Sequence, residues 1–181
     1  MNIFYLHNDP KTCAELHNDK HVVKMILEYA QLLSTAHRFI DGVPSVDRGT
    51  RTGRQRTSYI LSDSRDVVLY RATHINHPSA IWVRHSYENY EWLYKLLIAV
   101  LNEYTYRYGK IHATARLIDA LRAPPTHIPK GVGFTEPTPA MPEEYRVKNN
   151  SIQSYINYYV GAKKHLANWK KRTIPSWYEF N

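Results

Sequence analysis

Cysteine is nearly missing from this sequence of 181 residues: Cys13 stands alone. One thiol cannot close an intrachain disulfide, and it excludes any zinc or iron–sulfur site built from several cysteines. Long apolar runs are missing too, and none approaches the roughly 20 residues of a membrane-spanning helix. The opening residues, MNIFYLHND, lack the basic start and apolar stretch of a secretory signal, so a cytoplasmic protein is expected. Repeats and low-complexity tracts are absent. Acidic residues are scarce beside basic ones, 16 Asp plus Glu against 24 Lys plus Arg, for a formal net charge of +8.

What is present is ordinary in bulk and biased in detail. Hydrophobic residues make up 43% and charged residues 22%, which excludes global disorder. The length suits a single domain over residues 1–181 with a core of its own. The biases are 10 His, 15 Tyr and 4 Trp on a basic background. Cations track phosphates and flat rings stack on bases, so a nucleic-acid partner is expected. The plainer alternative is a basic enzyme whose charge only sets its isoelectric point.

The pattern predicts a mostly α fold built on two or three long helices. Residues 2–6, NIFYL, read as a short strand or an extended lead-in. Asn8-Asp9-Pro10 starts a helix that runs to about Phe39, on the order of 45 Å at 1.5 Å per residue. His37-Arg38 closes it, where cations suit the helix dipole. Residues 41–58 read as a flexible basic loop carrying Arg48, Arg51, Arg54 and Arg56. YIL and VVLY, within 59–72, are too short for periodicity to decide between strand and helix. His77-Pro78 starts a helix. Ser86 and Gly109 bracket a second long one over Tyr87–Tyr108. A third is expected over His112–Leu121 and a last over Ser151–Trp169. Residues 123–142 hold six of the ten prolines and form an irregular connector. The aromatic tail TIPSWYEFN is expected to dock.

On a helical wheel of residues 10–39, His17, His21, Lys24, Glu28, Gln31 and Thr35 fall within about 40° of one line. Val22, Ile26, Ala30 and Leu33 lie opposite. A solvated face usually repeats Lys, Glu and Arg. This mixture suits proton transfer and hydrogen bonding, so His17, His21, Lys24 and Glu28 are the catalytic candidates. Asp19 falls on the apolar side and calls for a basic partner from another segment. His17 and His21 have a zinc-compatible i, i+4 spacing, but HExxH is absent, no third ligand is evident, and Lys24 would repel a cation, so no metal or other cofactor is expected. A lysine whose pKa is lowered by burial and neighbouring cations becomes a nucleophile. A nearby carboxylate stabilises positive charge developing on a sugar.

Three patches resemble the phage pyrimidine-dimer DNA glycosylases of the endonuclease-V type. They are CAELHNDKH at 13–21, the helix NYEWLYKLLIAVLNEYTYRYGKIH, and the aromatic tail SWYEF. Together they cover about a third of the chain. The resemblance implies a small, basic, helical, metal-independent enzyme with a catalytic glutamate on its first long helix. It also implies an α-amino nucleophile exposed by Met removal. Here Asn2 follows Met1, a poor context for that removal, and the family's glutamate falls near Lys24. Either the amine and acid are reassigned, with Lys24 and Glu28 as the candidates, or the chemistry is different. In size and character the chain is also similar to antiphage glycosylases acting on glucosylated hydroxymethylcytosine.

The expected function is excision of a damaged or modified pyrimidine from double-stranded DNA by base flipping, with imine-mediated lyase activity as an option, in repair or in phage defence. Candidate DNA contacts are Arg48, Arg51, Arg54 and Arg56, then His74, Asn76 and His77 in the loop THINHP, then Lys170, Lys171 and Arg172 near the end. The alternatives are a non-catalytic nucleic-acid-binding phage accessory protein and a metal-dependent hydrolase or nuclease using His17 and His21.

Overall fold

A computed structural model describes residues 1–48, 53 and 55–179, with the backbone alone for Asp47, Arg48, Arg56 and Glu179. The fold is mostly α. Its helices are α1 (Pro10–Leu16), α2 (Asp19–Asp41), α3 (Arg65–Val68), α4 (Pro78–His85), α5 (Tyr87–Tyr108), α6 (Ile118–Leu121), α7 (Ser151–Val160) and α8 (Ser176–Glu179). Strands β1 (Val43–Arg48) and β2 (Gln55–Ile60) pair antiparallel between α2 and α3, with Val43 opposite Ile60 and Arg48 opposite Gln55. Among the described residues, no helix is long and apolar enough to cross a membrane.

The expected first long helix is two helices. His17 and Asn18 are extended, and the Asn18 side chain accepts the His21 N–H at 2.9 Å to start α2. A break strands carbonyls at the end of α1, and such groups need donors when buried. Three side chains supply them. Arg107 donates to the Glu15 and His17 carbonyls, Trp169 Nε1 donates to Leu16, and His17 Nδ1 donates to Cys13 at 2.6 Å. Arg107 also pairs with Asp19 at 2.9 Å and with Glu103 at 2.6 Å, so it is the basic partner that Asp19 requires. Arg172 joins the same network through Glu103 and Glu15.

α5 packs against α1 and α2, and α4 packs against both α2 and α5. Val22, Ile26, Ala30 and Leu33 are fully buried, as the wheel expects. The lead-in Ile3–Leu6 has no strand pairing, yet all four residues are buried. Cys13 Sγ donates to the Phe4 carbonyl there.

Other boundaries differ from expectation. Residues 41–58, expected as a flexible loop, contain β1 and the start of β2, which runs on to Ile60. Arg51 and Arg54 lie outside the described residues. YI closes β2, while VV ends α3. The helix expected from His112 begins as a 3-10 turn, Ala113–Leu117, before α6. The last long helix stops at Gly161, where a Cβ would meet the Tyr145 ring at 2.4 Å. His37 and Arg38 are buried rather than helix-end surface cations. Arg38 donates to Tyr59, Asp66, Leu69 and Tyr70, which ties β2 and α3 to the end of α2. The second long helix is Tyr87–Tyr108 as expected, capped by Ser86 and closed by Gly109 in the left-handed region. The tail docks, with Trp177 near Tyr159 and Tyr178 near Trp169.

Candidate functional site

Glu28 is the meeting point of the N-terminal segment and α2. Its side chain is 13% exposed. Oε2 accepts the backbone N–H of Asn2 at 3.1 Å and lies 3.8 Å from the Met1 ammonium. Oε1 lies 3.3 Å from Lys24 Nζ. Two amines therefore flank one carboxylate, and a backbone donor fixes its orientation.

Asn2 holds this arrangement in place. Its Nδ2 donates to the Ala140 carbonyl at 2.8 Å, and its Oδ1 accepts from Tyr155 on α7 at 2.6 Å. The proline-rich connector, through Ala140, and α7 thus both grip the start of the chain. His77 caps α4 by accepting the Ser79 N–H on Nδ1. Burial lowers its pKa first, then the positive Met1 amine and His74, with Glu28 opposing. His77, His74 and Glu28 therefore share one electrostatic neighbourhood.

The other members of the stripe lie elsewhere. His17 is fully buried in the α1–α2 break, with Nε2 accepting from Tyr29 Oη at 2.7 Å. Since Nδ1 donates to a carbonyl, the neutral tautomer is fixed. Burial, with a smaller push from Arg107, lowers its pKa to about 4. His21 stacks on Phe4 at 4.0 Å and meets Tyr159 Oη through Nδ1 at 2.5 Å. Burial takes its pKa down to about 2, aided by His17, Lys163 and Lys24. Both imidazoles are thus occupied by tyrosines. Lys24, expected as a buried amine, has a side chain 70% exposed. Thr35 is buried and pairs with the Thr73 backbone. Among the described residues, no group of three or more His, Cys, Asp or Glu is placed to hold a metal ion.

The expected DNA contacts are scattered. His74 is exposed, adopts a positive φ of 50° and pairs with Thr73 Oγ1, and Asn76 is exposed beside it. Lys170 and Lys171 are exposed and lie against the Tyr108 and Tyr106 rings. Arg172 is committed to Glu103 and Glu15. Sequence reasoning missed Met1 and Asn2 as neighbours of Glu28, and Tyr155 as the residue that holds Asn2. No local pattern announces contacts that join residue 2 to residues 28, 140 and 155. No protein-family model matches the chain, and neither a curated protein nor a solved structure is significantly similar to it.

Proposed function

We propose that this protein is a DNA glycosylase that removes a damaged or modified pyrimidine from double-stranded DNA. One observation carries the reading: a largely buried carboxylate, Glu28, flanked by the Lys24 and Met1 amines at 3.3 and 3.8 Å. An unprotonated amine attacks sugar C1′, the C1′–N bond breaks, and the base leaves with its electron pair and takes up a proton. Glu28 stabilises positive charge on the sugar and accepts the proton released by the amine. The amino-sugar then opens to an imine, which either hydrolyses or allows strand cleavage. In this reading His17 and His21 position α2 rather than touch the reacting atoms.

The test is mass spectrometry of bases released from plain, UV-irradiated and glucosylated-hydroxymethylcytosine DNA, with strand nicking scored for the UV substrate. Glu28→Gln is expected to lower turnover more than tenfold while sparing DNA binding, and Lys24→Ala does the same where Lys24 is the nucleophile. Borohydride trapping with peptide mapping assigns the adduct to Lys24 or to the chain's α-amine. Wild-type turnover in both variants overturns the site.

A second reading has its own support. Lys24 is well exposed, and the Lys170–Tyr108 and Lys171–Tyr106 pairs form a basic, aromatic surface. That is sufficient for a non-catalytic nucleic-acid-binding protein, which predicts salt-sensitive binding and no released base on any substrate.

A further inference from the structure

The first turns of α2 carry a mixed strip on their outward face. Lys20, Val23, Lys24 and Leu27 follow an i, i+3, i+4, i+7 spacing and so share one side of the helix. All four are exposed, Val23 at 41% and Leu27 at 40%, while Val22 and Ile26 beside them are fully buried. Apolar residues at that spacing usually belong to a buried stripe. Here two of them alternate with lysines at the surface, and Leu27 immediately precedes Glu28.

The C-terminal part of the chain adds to this strip. The Asn168 carbonyl accepts the Asp19 N–H at 2.8 Å, and the Asp19 carboxylate accepts the Lys170 N–H at 3.0 Å, which seats exposed Lys170 at the start of α2. Tyr159 of α7 holds His21, and the ammonium of Lys163, just past α7, lies 4.8 Å over the Tyr158 ring. The positive charges of Lys163 and Lys24 both bear on His21. The acids of these turns are engaged, Asp19 by Arg107 and the Lys170 N–H, Glu28 by Lys24 and the N-terminal segment. Four lysines are thereby gathered about the first half of α2, with an apolar pair among them.

We propose that this strip is the surface on which duplex DNA rests, with its lysines on the phosphates and Leu27 entering the base stack next to the nucleotide that Glu28 acts on. The inference rests on the DNA-acting reading above and deepens it. Two apolar side chains are too few for a protein interface of about 800 Å² per partner, or for the broad apolar face of a helix lying in a membrane surface. They suit a minor groove about 6 Å wide, where leucine and similar side chains wedge between base steps while cations hold the flanking phosphates. The wedge has a use at this place. A nucleotide drawn out toward Glu28 leaves a gap in the stack, and an apolar side chain beside that carboxylate can fill it. Leu27 is therefore a positioning residue, which keeps the target out of the helix without touching the reacting atoms.

The test uses the full chain and two 20-base-pair duplexes, one intact and one with a central tetrahydrofuran abasic site, which supplies the gap in advance. The wild-type chain is expected to bind the abasic duplex about tenfold more tightly, and Leu27→Ala to lose that preference. Lys20→Ser with Lys163→Ser is expected to reduce the slope of log Kd against log salt by about two. Arg122→Ser is expected to leave the slope unchanged, since Arg122 follows Leu121, whose carbonyl lies with Tyr90 and His37 near the other end of α2. An unchanged slope in the lysine variant, or an equal fall in Arg122→Ser, overturns the surface and leaves the DNA reading standing. Equal wild-type affinity for the two duplexes, or a preference that Leu27→Ala keeps, overturns the insertion of Leu27. Binding to vesicles containing phosphatidylserine but to neither duplex assigns the strip to an anionic membrane and overturns the proposal together with the DNA reading, as does binding to none of the three. Circular dichroism of each variant checks that it folds.

Discussion

His17, His21 and His37 each meet a tyrosine hydroxyl away from water. In the third pair, Arg65 donates to His37 Nδ1, so Nε2 carries the proton toward Tyr90 Oη, which donates onward to the Leu121 carbonyl. Burial lowers the His37 pKa to about 4, with Arg65 adding to it and Asp41 and Asp63 opposing. Above the ordinary histidine pKa of about 6.5, folded and unfolded chains are both neutral at these positions, and stability is complete. As pH falls below that value, the unfolded chain takes up protons that the folded chain refuses. Stability is lost down to about pH 4 for His17 and His37, and lower still for His21. His17 and His37 each account for roughly 3 kcal/mol across that window, against a typical total of about 5–15 kcal/mol. From these three histidines alone, unfolding is therefore expected to bind nearly three protons at pH 5. Urea titrations at several pH values give that number as the slope of stability against pH, and a slope below one proton contradicts neutral burial.

At the scale of elements, the break between α1 and α2 sets the position of Glu28. Asn18→Ala removes the cap of α2 and is expected to cost about 1 kcal/mol, read as a lowered urea midpoint with unchanged cooperativity. The break was legible in principle, because Asn18-Asp19 is a cap followed by an acid in the first turn. It was hidden because a helical wheel keeps its phase across a short interruption, and Val22 to Leu33 alone make the apolar stripe. Ser86 and Gly109 were legible because each acts on its own turn of backbone. Gly161 was not, since α7 ends there on the arrival of a ring from Tyr145. In sequence the hairpin looks like a loop because its arginines, glycines and threonines alternate too weakly to mark strands.

Across the whole molecule, one charge network closes the fold. Arg107 is fully buried, joins α1, α2 and α5, and shares Glu103 with Arg172 from the C-terminal segment. Arg107→Ala leaves Glu103 buried beside a single remaining cation and deprives the Glu15 and His17 carbonyls of their donor. A loss of about 3–5 kcal/mol is expected, measured by thermal or urea unfolding. Arg107→Lys is expected to recover only part of it, because an ammonium cannot span two carbonyls and two carboxylates in the planar fork of a guanidinium. The need of Asp19 for a partner was readable from its place on an apolar face. The identity of that partner was not, since 88 residues separate the two.

The clasp of Asn2 by Tyr155, 153 residues away, also sets an order of assembly. The Trp169–Leu16 contact spans the same distance, and the His21–Tyr159 contact nearly as much. Synthesis delivers the N-terminal helices first, with the donors that finish them still unmade. The surroundings of Glu28 are completed only when Ala140 and Tyr155 emerge and fold back onto Asn2. A nascent chain stalled before α7 thus carries Glu28 and Lys24 but not the geometry that joins them to Asn2. Whatever chemistry that corner performs is withheld from the polypeptide until α7 has been made and packed.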